Sequence, residues 1–112
     1  MSRKQDIIRL TDLAQLTLDH RLGQMRTATQ ALDRSKGQLA AISEGARPAD
    51  LPLVMGARAE WTYQRWADLR KSELNLVIAR QTAACLALRD EAKTAFGRLE
   101  ALRSLSERLR ER

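Results

Sequence analysis

The sequence predicts an all-α fold of two long helices folded back on each other as an antiparallel coiled-coil hairpin. Three observations carry that reading. Aromatic residues make up only 4% of the 112-residue chain and charged residues 30%, a composition of long helices rather than of an aromatic-rich globular core. Strong turn chemistry is confined to one stretch, which contains both prolines. On either side of it, apolar residues recur at heptad spacing, the pattern that keeps one seam of a helix against a partner.

The first helix is expected over about residues 3–44. Leu18, Met25, Leu32 and Leu39 are seven apart, with Ala28, Ser35 and Ile42 as a weaker second row and Leu22 beside it. Upstream, Ile7, Leu10, Ala14 and Leu18 continue the apolar stripe. Gly23 and Gly37 each weaken a helix by up to ~1 kcal/mol relative to Ala, too little to end it. The turn is expected at about 45–50, inside Ser43–Pro52. Gly45 reads as the residue that closes the first helix. Asp50 reads as the N-cap of the next, with Pro52 tolerated in its first turn.

The second helix is expected over about 51–110 and has the cleaner repeat. Leu74, Gln81, Leu88, Ala95, Leu102 and Leu109 are seven apart, and Ile78, Cys85, Ala92, Leu99 and Ser106 form the partner row. Together they alternate steps of four and three, the coiled-coil seam. Gln81 and Ser106 are its polar breaks. At 1.5 Å per residue the two helices are roughly 60 and 90 Å long. Pairing outward from a short turn sets the first helix against about residues 51–95. The last ~15 residues of the second are then expected to project, carrying Arg98, Arg103, Arg108, Arg110 and Arg112.

Charge and composition narrow the function. The net charge is +6, with 16 Arg against four Lys. Guanidinium suits carboxylate or phosphate partners, so nucleic acid, an anionic membrane or an acidic protein all fit. No apolar run approaches the ~20 residues needed to span a bilayer. The N-terminus lacks the apolar core of a signal peptide, and the expected compartment is the cytoplasm. A lone cysteine, Cys85, makes no intrachain disulfide and reads as a small buried seam residue. His20 is the only histidine. It reads as an exposed helix residue, and no multi-histidine metal site or Ser–His–Asp arrangement is expected. Neither an enzyme nor a cofactor or small-molecule site is expected.

The segment Trp61-Thr62-Tyr63-Gln64-Arg65-Trp66 holds three of the four large aromatic residues; Phe96 is the other. With the seam set at Leu74, Tyr63 and Ala67 fall within ~20° of it, Trp66 lies ~80° away, and Leu69 and Leu76 lie ~140–160° away. Trp66, Leu69 and Leu76 therefore form a second apolar stripe aimed partly off the seam, a candidate protein-binding patch. The alternative is a local drift of the seam that packs these side chains against the first helix or a second copy. The arginine tail has a bland alternative too: Glu100–Arg103 and Glu107–Arg110 pair on the helix surface, and terminal cations complement the helix dipole.

These residues resemble those of a known family, the flagellar export protein FliJ family, related to the stalk proteins of type III secretion ATPases. The resemblance runs over nearly the whole chain. It rests on Asp12-Leu13-Ala14 followed by Leu22-Gly23-Gln24-Met25-Arg26, on Trp61 and Tyr63-Gln64-Arg65-Trp66, and on two unequal helices with one break. It implies a non-enzymatic stalk that inserts into a hexameric export ATPase ring, binds the cytoplasmic domain of the membrane export gate, and engages export chaperones. The protein would then be cytoplasmic and peripherally associated with the membrane apparatus. By the same resemblance, Tyr63, Gln64, Trp66 and Leu69 are candidates for the gate contact. The Arg98–Arg112 tail is the candidate for the ATPase ring. The family places a Leu four residues after the aromatic; here that position is Arg70, and Leu69 comes one residue earlier. Three other readings compete: an export chaperone, a generic coiled-coil interaction protein, and a basic nucleic-acid-binding hairpin. Self-association is also open.

Overall fold

The computed structural model describes residues 2–45 and 53–111. They form two helices, α1 (Arg3–Glu44) and α2 (Leu53–Arg110), packed on each other as an antiparallel hairpin. The turn, including the expected Asp50 cap and Pro52, lies outside the described residues.

Ser2 starts α1 in a way the sequence reading missed. Its hydroxyl accepts the Gln5 backbone N–H at 3.2 Å, and its carbonyl accepts the Asp6 N–H at 3.2 Å. Ser2-Arg3-Lys4-Gln5 thus has the spacing of a capping box, and Asp6 adds a carboxylate in the first turn, where the helix dipole favours it. At the far end of α2, Arg108 and Arg110 lie in the last turn and complement the opposite pole.

Contacts divide the chain into two units. One comprises Met1–Thr29 with Ala84–Arg112, the other Gln30–Ala83.

In the terminal unit, Leu18, Ala95 and Leu99 form a buried cluster with Ala14 packed against it. Leu99 is 1% exposed. The α2 seam here is the expected one: Cys85, Leu88, Ala92, Ala95, Leu99, Leu102, Ser106 and Leu109 are all buried or half-buried. On α1, Ile7, Thr11, Ala14, Leu18, Arg21 and Met25 alternate steps of four and three and are likewise withdrawn from solvent. Leu10 does not belong to this stripe as expected; it is 51% exposed. Thr11 occupies the seam instead, because its hydroxyl donates to the Ile7 carbonyl at 2.7 Å and carries no unmet hydrogen bond into the seam. Two cross-helix contacts pin the register: Arg21 pairs with Glu91 at 3.1 Å, and Arg103 donates to Gln15 at 3.0 Å.

In the other unit, Ala67 and Leu74 are each 2% exposed, and Ser35 is buried. Leu32, Leu39, Ile42, Tyr63 and Ile78 are half-buried. Ala59, Tyr63 and Ala67 follow one another at steps of four, where a strict heptad continued from Leu74 and Ile78 would select Glu60 and Gln64, both exposed. Consecutive four-residue steps are a stutter, which locally unwinds a coiled coil, and this one falls on the aromatic segment. Gln81 is half-buried in the seam, and its Oε1 is buried without a hydrogen-bond partner. Such an atom costs stability, but polar seam residues also restrict register.

Gly45 does follow the end of α1, its N–H donating to the Ile42 carbonyl at 3.3 Å. It is not a left-handed cap, since no described glycine has a positive φ. What requires glycine is proximity. A Cβ there would collide with the Tyr63 hydroxyl and lie 2.9 Å from the Ile42 carbonyl oxygen.

The structure corrects the expected overhang. Gly45 sits against Tyr63, ten residues after α2 begins at Leu53. α1 therefore ends opposite Tyr63 rather than opposite the first turn of α2. The arginine tail does not project, because Lys4, Ile7 and Ile8 share one hollow with Ser106, Leu109 and Arg110. Counting outward from the turn misplaces Leu18 by roughly 20 residues along α2, or about 30 Å. Leu18 packs on Ala95 and Leu99.

Gly23 and Gly37 lie inside α1, and a Cβ at either meets nothing within 4 Å. Gly→Ala at each is therefore expected to stabilise the protein by roughly 0.5–1 kcal/mol through helix propensity and the unfolded chain's entropy. A denaturant titration checks this; an unchanged or lower midpoint for both variants would count against it.

Candidate partner-binding surfaces

The aromatic segment begins from the stutter. Because Tyr63 is drawn into the seam, the two tryptophans five residues apart emerge on different sides of α2, about 140° from each other. Tyr63 is half-buried, with its hydroxyl against Gly45. Its ring packs on Trp66 with centroids 5.8 Å apart and planes tilted by 42°. Trp66 is 51% exposed, so it is held on one face and offered to solvent on the other. The expectation that Trp66, Leu69 and Leu76 point away from the seam holds, since all three are exposed. Val77, 11 residues beyond Trp66 and so on nearly the same side, is also exposed.

Leu69 is more exposed still, at 61%, while Arg70 is half-buried and pairs with Glu73 at 3.1 Å. Leu69 therefore supplies the exposed apolar surface, one residue earlier and about 100° around the helix. Gln64 is exposed and lines a shallow depression with Trp61, Arg65, Asp68 and Leu69. Within it, the Arg65 guanidinium lies 5.5 Å from the Trp61 ring centroid, a cation–π contact. Trp61 was not among the predicted site residues; the spacing of Trp61, Arg65 and Leu69 at i, i+4 and i+8 was the signal that marked them as one face.

The structure does not bring the tail arginines together. Arg103 is engaged with both Glu100, at 3.1 Å, and Gln15. Arg98 lines a different hollow, with Arg21, Asp90 and Glu91. Arg110 faces Lys4 and the two isoleucines. Arg108 is exposed, and Arg112 lies outside the described residues. Arg98 and Arg103 are ~140° apart around α2, as are Arg103 and Arg108, so no single face presents them all.

His20 is exposed and Cys85 is a half-buried free thiol. Among the described residues, no three His, Cys, Asp or Glu side chains are grouped to hold a metal, and no helix is long and apolar enough to cross a membrane. Compared with known families, characterised proteins and solved structures, the chain has no match.

Proposed function

We propose that the chain is a non-enzymatic stalk or coupling protein of a flagellar or type III protein-export ATPase complex. The observation that carries this reading is the pairing of a helical hairpin with an aromatic–leucine patch off its own seam, at the residues that resemble the gate-binding turn of the FliJ family. Trp66 and Leu69 are too exposed to be explained by self-packing, and exposed apolar groups clustered beside a rigid aromatic are the chemistry of a protein-binding hot spot. The seam gives the patch a stiff support, and the half-buried Tyr63 ring packs against that of Trp66.

In this reading Tyr63 is a positioning residue, and Trp66 and Leu69 make the contact with the gate's cytoplasmic domain. The hexameric export ATPase meets the end of the hairpin where the two termini lie. Arg98, Arg108 and Arg110 contribute there from separate faces, which suits a stalk surrounded by ring subunits better than a single flat contact. Arg103 serves the hairpin itself. Nucleic-acid binding is the weaker reading, because Arg21, Arg70 and Arg103 are engaged with carboxylates of the chain.

A pull-down of the purified chain against the hexameric ATPase and, separately, the gate's cytoplasmic domain tests the proposal. Retention on both is expected. Failure to bind either would end it.

A further inference from the structure

We propose that one flank of the terminal unit docks an amphipathic helix carrying acidic side chains beside its apolar stripe. This site is separate from the aromatic patch and does not depend on the export reading.

The flank follows from heptad arithmetic. Ile8, Gln15 and Leu22 are seven apart on α1, and Arg89, Phe96 and Arg103 are seven apart on α2. Residues seven apart occupy the same position around a coiled coil. The hydrogen bond from Arg103 to Gln15 shows that the two rows edge the same side of the seam. Two hollows lie on that side. The larger, of ≈ 480 Å³, is walled by Leu18, Leu22, Met25, Ala92 and Phe96, and its only charged lining residues are Arg89 and Lys93. Phe96 is 54% exposed and Leu22 40%, an open apolar floor rather than a filled core. The smaller, of ≈ 150 Å³, is formed by Ile7, Ile8 and Leu109 with Lys4, Arg110 and Ser106. Each hollow is apolar, each carries two cations, and neither is lined by a carboxylate.

The spacing selects a helix as occupant. Leu22 and Ile8 are two heptads apart, ~21 Å along α1. A ligand helix of the same pitch presents apolar anchors to both hollows from one stripe. Between them Arg103 bridges Gln15 and Glu100, and Asp19 accepts from Gln15 at 2.9 Å, so the middle of the ligand faces polar groups.

Charge selects the sign. Arg89 and Lys93 at one hollow, and Lys4 and Arg110 at the other, favour carboxylates flanking each anchor. A second copy of this chain is the poorer occupant: it carries the same net charge of +6 and would bring cations to cations. A flat anionic bilayer is poorer as well, because it cannot leave out its charge over Glu100 and Asp19 at the centre of the flank, whereas a helix can carry uncharged polar residues there and carboxylates only beside its two anchors.

The test uses the full chain and a labelled synthetic helix of about 22 residues, roughly 33 Å long, with leucine at the seam positions of its two end heptads, glutamate beside those leucines and uncharged polar residues between. A matched peptide carries lysine in place of glutamate. Fluorescence anisotropy is expected to show saturable binding of the glutamate peptide and at least about 10-fold weaker binding of the lysine peptide. Phe96→Glu, and separately Arg89→Glu with Lys93→Glu, are each expected to weaken the glutamate peptide by about 10-fold or more at unchanged helicity. These three side chains are exposed, so the variants are expected to keep the parent's helicity and fold. The double variant should also gain affinity for the lysine peptide. Four results overturn the proposal. The glutamate peptide fails to saturate, the two peptides bind alike, or Phe96→Glu binds as the parent does. In the fourth, sedimentation finds a dimer, or phosphatidylglycerol vesicles bind the chain, and Phe96→Glu abolishes that association, giving the flank to another occupant.

Discussion

Replacing Leu99 by alanine is expected to lower the stability of the protein by about 2–4 kcal/mol, the range for a fully buried leucine whose site relaxes only in part. Leu99 is 1% exposed and lies at the centre of the cluster with Leu18 and Ala95, Ala14 packed beside them. Two of those three neighbours are alanines, which have no long side chain to swing into the vacated space. The cavity therefore persists and its cost adds to the lost transfer energy. A loss of about 3 kcal/mol corresponds to a drop in melting temperature of roughly 10–20 °C. Leu86→Ala removes the same atoms from a side chain that is 56% exposed. It is expected to change stability by less than about 0.5 kcal/mol, and alanine's better helix propensity offsets part of that. Thermal melts followed by circular dichroism compare the two directly. Similar midpoints for both variants would mean that the terminal unit is not held by this seam.

The seam was legible because a heptad of Leu, Ile and Ala admits one phase on α2. All eleven positions from Leu74 to Leu109 that the repeat selects are buried or half-buried. Leu10 misled because hydropathy ranks leucine above threonine, whereas the phase from Ile7 to Leu18 selects Thr11 and the helix itself satisfies that hydroxyl. Register was not legible for a deeper reason. A heptad pattern matches itself when slid by seven, so the roughly 20-residue difference between expected and observed pairing, close to three heptads, leaves the apolar seam intact. What breaks the degeneracy are single contacts that a period cannot encode: Arg21 with Glu91, Arg103 with Gln15, and Tyr63 against Gly45. The same limit applies to the surfaces. Trp66 and Leu69 could be placed off the seam from their angle on one helix. The hollow at Phe96 could not, because its walls come from both helices and depend on the register. Nor could the dispersal of the tail arginines, since their partners on α1 depend on it too.

On the proposed stalk reading, replacing Trp66 by alanine is expected to weaken binding of the export gate's cytoplasmic domain by about 30-fold or more, the effect of losing a hot-spot residue of about 2 kcal/mol, while the helical content stays the same. Binding and folding separate at this position because Trp66 is 51% exposed and its contact within the hairpin is with the Tyr63 ring. Losing one aromatic pair costs about 0.5–1.5 kcal/mol, and alanine's helix propensity recovers part of it. The melting temperature should therefore fall by no more than about 5 °C. Tyr63→Ala provides the contrast. Tyr63 reaches Gly45 at the end of α1, so its loss should reduce stability and gate binding together. Trp61→Ala identifies the side of α2 that makes the contact: Trp61 stands about 140° from Trp66 and is held by Arg65, so this variant should keep its affinity within a few-fold. Calorimetric titration of the three variants against the gate domain, with melts run in parallel, separates the outcomes. Undiminished binding by Trp66→Ala would remove Trp66 from the contact. A collapse of its melting temperature would instead make the ring part of the hairpin's own packing, with Tyr63 as its partner there.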